Sequence, residues 1–254
     1  MDVLHAVAGH AADGPGWGLD GGIRTGFGDE WLQLGPVKIF SDGSLLGTTA
    51  ALTEDYACCA HHGYFQGDPS QMRSRALDAA ASGWSLAIHA IGDAAVDFAI
   101  ETLEEATARY GAPSMPHRIE HGGVVRPDQI ERLRGQPIVV VPQPLFISAF
   151  GDAMAEALGP KRAALSYPGK RLLDASLVLP GSSDQPVAPG RPLDVMQAFV
   201  ERRTASGELY GPQDRLTPAE ALYAYTAGSA AATGWAGRKG QVMPGQLADF
   251  ALLS

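Results

Sequence analysis

Four apolar runs in this chain end in side chains that can do hydrolytic chemistry. The stretch PVKIFSDGSL places Lys38 among Val37, Ile39 and Phe40, in what reads as a buried strand. An unpaired buried ammonium costs several kcal/mol, so Lys38 must reach solvent, pair with Asp42 or Glu120, or be chemically altered. LAIHAIGD ends on His89 and Asp93, HRIEHGG carries Arg118, Glu120 and His121, and LPGSSDQPV carries Ser183 and Asp184. Two imidazoles and a carboxylate are donors that a borderline divalent ion such as Zn²⁺ prefers, and an ion with one open position for water suits metal-assisted hydrolysis. Plainer readings stand beside this: His89 as a strand-end group bonded to Asp93, and Asp184 as a turn former in SSDQP. In CCAHHGY, Cys58, Cys59, His61 and His62 imitate a zinc cluster, but the spacing is too compressed for four ligands to converge. A surface or substrate loop is expected there. His5, His10 and His117 carry no motif and are expected to be solvent-facing or structural.

The elements that would position these residues show a βα rhythm. Short β-like runs fall at 36–40, 84–88, 116–120, 137–141 and 176–180, separated by helix-like stretches. Val96, Ala99, Ile100 and Leu103 share one face of a helix expected over 94–109, with Asp93 placed to cap its start and Gly111 its end. Pro127 suits a first helical position and Gly135 an exit, while Thr217, Pro218 and Glu220 read as a capping box. Residues 1–30 lack periodicity and read as a loop-rich entry or as a segment whose partner structure lies elsewhere. The stretches 44–70 and 144–168 read as substrate loops. Their aromatics, Tyr56, Tyr64, Phe65, Phe146, Phe150 and Tyr167, either hint at an apolar acyl or amine group or pack on themselves. Parallel strands joined by helices build a barrel or an open doubly wound sheet, and in both the ligands gather at the C-terminal strand ends.

Bulk properties narrow the partners. With 254 residues, 45% of them hydrophobic, the chain can bury a sizeable core. A net charge of −9 disfavours nucleic acid and anionic membrane surfaces, leaving a small molecule or a protein. No stretch approaches the roughly 20 apolar residues needed to cross a bilayer, and the N-terminus lacks a signal pattern, so a cytoplasmic location is expected. The two cysteines, Cys58 and Cys59, are adjacent, so no structural disulfide framework is expected to hold the fold. HAIGDAA lacks the Gly-x-Gly-x-x-Gly fingerprint of a dinucleotide site.

The motifs VKIFSDGSL, AIHAIGDAAVD, HRIEHGGVV, PQP, GSSDQPV, RLTPAEALYAYTAGSAAATG and GQVMPGQLADFALL, taken together and in order, resemble the amidohydrolase superfamily, in its YtcJ-like branch that includes N-substituted formamide deformylases. The resemblance implies a (β/α)₈ barrel of the TIM type, of which this chain holds the fourth to eighth strands. It also implies a partial barrel over 1–235 and the start of a small β-sandwich over 236–254. It implies one or two divalent metals, zinc by expectation, with Lys38, His89, His121 and Asp184 as ligands. Lys38 falls on a position that is often N-carboxylated. Asp184, His121 and His89 take the catalytic roles, and Asp42, Asp93, Arg118, Glu120 and Gln143 orient ligands or contact substrate. The implied reaction is hydrolysis of an amide or formamide C–N bond in a small molecule.

One part of the family pattern is missing: the His-x-His of an apolar first strand, for which HAVAGH has the wrong spacing. The chain is therefore expected to be the C-terminal half of a longer enzyme, pairing its open edges with the missing half or with another copy. The alternative is a non-catalytic fragment or pseudoenzyme that acts through association.

Overall fold

The computed structural model describes residues 22–252, together with the backbone of a two-residue strand, β1 (Ala6–Val7). The expectations on His5 and His10 lie outside the described residues. Four further strands follow: β2 (Val37–Phe40), β3 (Leu86–Ala90), β4 (His117–His121) and β5 (Ile138–Val141). All pair in parallel, in the order β1-β2-β3-β4-β5. Each internal crossover carries a helix: α1 (Pro69–Ala81) after β2, α2 (Asp93–Tyr110) after β3 and α3 (Pro127–Leu133) after β4. This is an α/β fold with strands in sequential order. Within the aperiodic stretch 1–30, Ala6–Val7 pairs in parallel with β2; two residues are too few to show a period in the sequence.

Strand alternation divides the core. Leu86, Ile88, Ala90, Ile119, Ile138 and Val140 join the main apolar cluster, which includes Ala99, Ile100 and Leu103 of α2. Their neighbours take the other face. There Val139 and Val141 pack with Ala232 and Val178 in a small second cluster. The register Phe40↔His89↔Glu120 lines up the last residue of β2 with the penultimate residues of β3 and β4 on that same face.

Beyond β5 the chain turns helical. α4 (Leu145–Ala163) occupies most of the stretch expected as a loop over 144–168, bending at Gly159, whose φ of +70° precedes Pro160. Then come α5 (Lys170–Asp174), α6 (Pro192–Glu201) and α7 (Pro218–Tyr223), a π-helical turn (Ala224–Gly228) and α8 (Ser229–Ala232). The capping box of Thr217 and Glu220 forms as expected. The run at 176–180 does not become a ladder strand; Ser176 turns at a φ of +61° and residues 177–180 are coil, with Gly181 N–H bonded to the Ala224 carbonyl of the π turn. Residues 236–252 form turns and coil with no strand, so the expected sandwich strand is not formed there.

Candidate active site

The imidazoles of His89 and His121 meet edge to face with ring centroids 4.5 Å apart. Alternation along β4 would turn His121 away from His89, because Glu120 already shares the His89 face. A φ of +77° at His121 takes it out of the strand conformation, and Gly122 follows at φ +50°. Such backbone in a non-glycine residue is costly and is held only by its surroundings. Phe40 lies against one ring at 5.2 Å, and Phe146 stacks on the other at 6.2 Å.

Hydrogen-bond partners fix both tautomers. The Gly43 carbonyl can only accept, so His89 Nε2 donates to it at 2.9 Å. The His89 Nδ1 lone pair is then left buried without a partner. Gln143 Nε2 donates to the Val141 carbonyl, which turns Gln143 Oε1 to His121 Nδ1 at 2.7 Å. His121 therefore carries its proton on Nδ1 and its lone pair on Nε2. Burial, with help from the neighbouring Lys38, pulls His89 down to about 4; burial, then His89 and Lys38, pull His121 down to about 3. Both rings are neutral at neutral pH, the form that ligates a metal.

Lys38 is half-buried, with Nζ 4.9 Å from the centroid of the Phe40 ring. Burial lowers its pKa, while the charges of Glu120 and Asp184 pull the other way. Asp184, at φ +57° in the loop after residue 180, thus acts on the same ammonium. Glu120 is buried beside Arg118, whose Nε lies 2.7 Å from Glu120 Oε1. Burial raises the Glu120 carboxyl, but Arg118 and Lys38 outweigh it and leave it below its ordinary value.

Asp42 ties the strand ends together. Its fully buried carboxylate accepts the backbone N–H groups of Ala51, Ile91 and Gly92 at 2.8–3.0 Å. Oδ1 also lies 3.4 Å from His89 Nε2. Burial raises this carboxyl to about 7, against the lowering effect of the three N–H donors. Gly92 is needed here because a Cβ would stand 1.8 Å from the Ala51 carbonyl oxygen.

Several expected contacts fall elsewhere. Asp93 does not reach His89 and does not cap α2; Gly92 is the N-cap, and Asp93 Oδ1 accepts from Thr53 N at 3.0 Å while Oδ2 meets Arg126 Nη1 at 3.0 Å. Arg126 also binds Asp97 and Asp128, locking α2 to α3. The group that orients the His121 ring is Gln143, rather than Arg118 or Glu120, which pair with each other. His117 is buried, its Nδ1 accepting from Leu86 N–H at 3.0 Å. The aromatics mostly pack on one another: Phe146 meets Phe150 and Tyr167 edge-on, and Tyr56 donates its hydroxyl to Ala50. The Gly43 carbonyl is a site group that the sequence did not announce, since a main-chain acceptor leaves no signature in residue type, whereas Phe146, one of the aromatics named in the stretch 144–168, stacks on the His121 ring.

The donor set fits part of a metal site. Two neutral imidazoles close together, one with an orphaned buried lone pair, are what a borderline divalent ion takes. Among the described residues, no three His, Cys, Asp or Glu side chains converge as a group able to hold a metal ion. Nor is any helix among them long and apolar enough to cross a membrane.

Comparison with known proteins follows this geometry. The chain is 35% identical over 228 residues to the protein LONG AFTER FAR-RED 3 of Arabidopsis thaliana, covering 89% of this chain and 39% of that protein. It is 30% identical to the putative amidohydrolase YtcJ of Bacillus subtilis (strain 168), covering 88% and 42%, and 27% identical to the N-substituted formamide deformylase of Arthrobacter pascens, covering 87% and 41%. The crystal structure of an uncharacterized metal-dependent hydrolase from Pyrococcus horikoshii OT3 superposes with a TM-score of 0.78 at 31% identity, over 89% of this chain and 45% of that one. The chain thus spans about two-fifths of the length of these curated relatives. The sequence profile described as "Amidohydrolase family" matches residues 7–254, and the chain belongs to that family, in its YtcJ-like branch.

Proposed function

We propose that this chain forms the strand-end part of the hydrolytic centre of a metal-dependent amidohydrolase that cleaves an amide or formamide C–N bond, its five parallel strands being a portion of a (β/α)₈ barrel. The observation that carries the reading is the pair of neutral imidazoles whose outward nitrogens are set by Gly43 and Gln143. His89 through Nδ1 and His121 through Nε2 would hold a divalent ion, zinc by preference of the donors, with Lys38 and Asp184 beside it. Such an ion supplies Lewis acidity for activating water and polarising the substrate carbonyl.

The chain's own residues do the rest. Asp184 accepts a proton from the attacking water on its carboxylate and returns it to the leaving nitrogen as the C–N bond breaks. The carboxylates of Glu120 and Asp184 oppose the burial and the Arg118 charge that disfavour the Lys38 ammonium, and Phe40 and Phe146 cover the imidazole faces. A small-molecule amide is the substrate class, and a second chain or the remainder of a longer protein completes the open sheet.

Metal analysis of the purified protein, followed by amide and formamide hydrolysis with and without added Zn²⁺, tests the reading. Metal-dependent turnover that vanishes in Asp184→Asn while metal stays bound supports it. The absence of a third converging donor among the described residues favours a second reading, a non-catalytic fragment acting through association. That reading expects neither bound metal nor turnover under any addition.

A further inference from the structure

The loop between β2 and α1 holds a feature that the proposed hydrolysis does not use. Cys58 and Cys59 are free thiols whose Sγ atoms lie 2.7 Å apart, Cys58 exposed and Cys59 half-buried. Adjacent side chains in an extended segment point to opposite sides, so this contact exists only because residues 57–60 bend. The bend is held from several directions. Tyr56 N–H bonds to His61 O, His61 N–H to Cys59 O, and Ala57 N–H to Ala157 O of α4. Arg162 of α4 donates to the carbonyls of Glu54 and Asp55 at 2.8 and 2.6 Å. The two imidazoles nearby are committed elsewhere: His61 Nδ1 accepts from Gly63 N–H, and His62 Nδ1 pairs with Asp55. The sulfurs are left to each other.

We propose that Cys58 and Cys59 form an oxidisable vicinal dithiol that closes to an intraloop disulfide when a small-molecule disulfide such as oxidised glutathione reaches it. Cys58, the exposed member, attacks one sulfur of the oxidant as thiolate, making a mixed disulfide and releasing one glutathione. Cys59 Sγ then attacks Cys58 Sγ and expels the second. The two cysteines lose two electrons and two protons, the oxidant is reduced to two thiols, and no other reactant is needed. The hydrogen bond that the Cys59 thiol shares with Cys58 Sγ holds the Cys59 proton and raises that thiol above its usual range, which leaves the first attack to Cys58. Adjacent Cα atoms are about 3.8 Å apart, closer than disulfides usually bridge, so the closed form is strained and easily reopened by thiols.

The test is intact-mass analysis of the native chain after exposure to oxidised glutathione, with maleimide counting of the thiols that remain. The expected result is loss of two hydrogens, no retained glutathione and no reactive thiol, reversed by reduced glutathione. Cys58→Ser and Cys59→Ser should each fail to lose the hydrogens, and Cys58→Ala should react more slowly than Cys59→Ala. Stable glutathione adducts on the native protein, disulfide-linked dimers, or two thiols that stay reactive would each overturn the proposal.

Discussion

His89 and His121 stand on adjacent strands one register step apart, yet their rings touch at 4.5 Å because the left-handed backbone at His121 turns its side chain onto the His89 side. The contact places two nitrogen lone pairs in one dry region, and each ring is held there by an acceptor on its far side. The consequences can be measured.

Removing the acceptor behind His121 should loosen the ring without unfolding the chain. Gln143→Leu is expected to keep the far-ultraviolet circular dichroism of the native protein while weakening divalent-metal binding about 10–100-fold in equilibrium dialysis. Unchanged affinity would show that Gln143 does not orient the ligand.

Asp42 is expected to be a stability residue first. Asp42→Ala leaves three buried backbone N–H groups without acceptors, at about 1–3 kcal/mol each. A urea midpoint close to that of the parent protein would contradict the clamp. Asp42→Asn keeps one acceptor oxygen and should fall between.

Acid should destabilise this chain through its buried imidazoles. His89 and His117 have folded pKa values of about 4 and His121 about 3, all below their unfolded value of 6.5. The unfolded chain therefore binds more protons between these limits, so each contribution is complete above about pH 6.5 and is lost as pH falls to about 4 for His89 and His117 and to about 3 for His121. Asp42, raised to about 7, works in the opposite direction over the same window, but as one group against three. Urea midpoints should rise from about pH 4.5 to about pH 6.5; a flat or falling profile would contradict the neutral, buried rings.

Arg202 is fully buried, and its guanidinium donates to the carbonyls of Tyr210, Tyr167 and Ser166 at 2.8–2.9 Å. Burial pulls its pKa down to about 10, so it remains charged at neutral pH. Arg202→Met removes the donor and leaves three carbonyls unpaired, at about 3–5 kcal/mol by analogy with broken buried charge contacts. Thermal denaturation that is unmoved by this change would show that the carbonyls find other partners.

The motif ends of β2, β3 and β4 were legible because each joins an apolar run to a polar residue type that a strand end must explain. Asp93 was legible as a helix-start residue but not as a partner of Thr53 and Arg126, which lie 40 residues before it and 33 after it in the chain. The helix over 145–163 was hidden by Gly159 and Pro160, whose composition signals a turn and whose actual effect is a bend. The run SLVLP has the pattern of a strand, but a ladder also requires a neighbour at bonding distance, and there Val178 packs its side chain on Val139 and Val141 instead.

The sequence by itself determined the βα alternation, the helix starts at Pro127 and Pro218, and the residue types offered at the strand ends, because periodicity and capping are local properties. Only the tertiary structure decided which nitrogen of each histidine faces the site, that Gln143 and Gly43 hold them, and that Asp42 clamps three chain segments. Those depend on the hydrogen-bond partner a folded neighbour supplies, and on one positive backbone angle at His121 that no amino-acid type dictates.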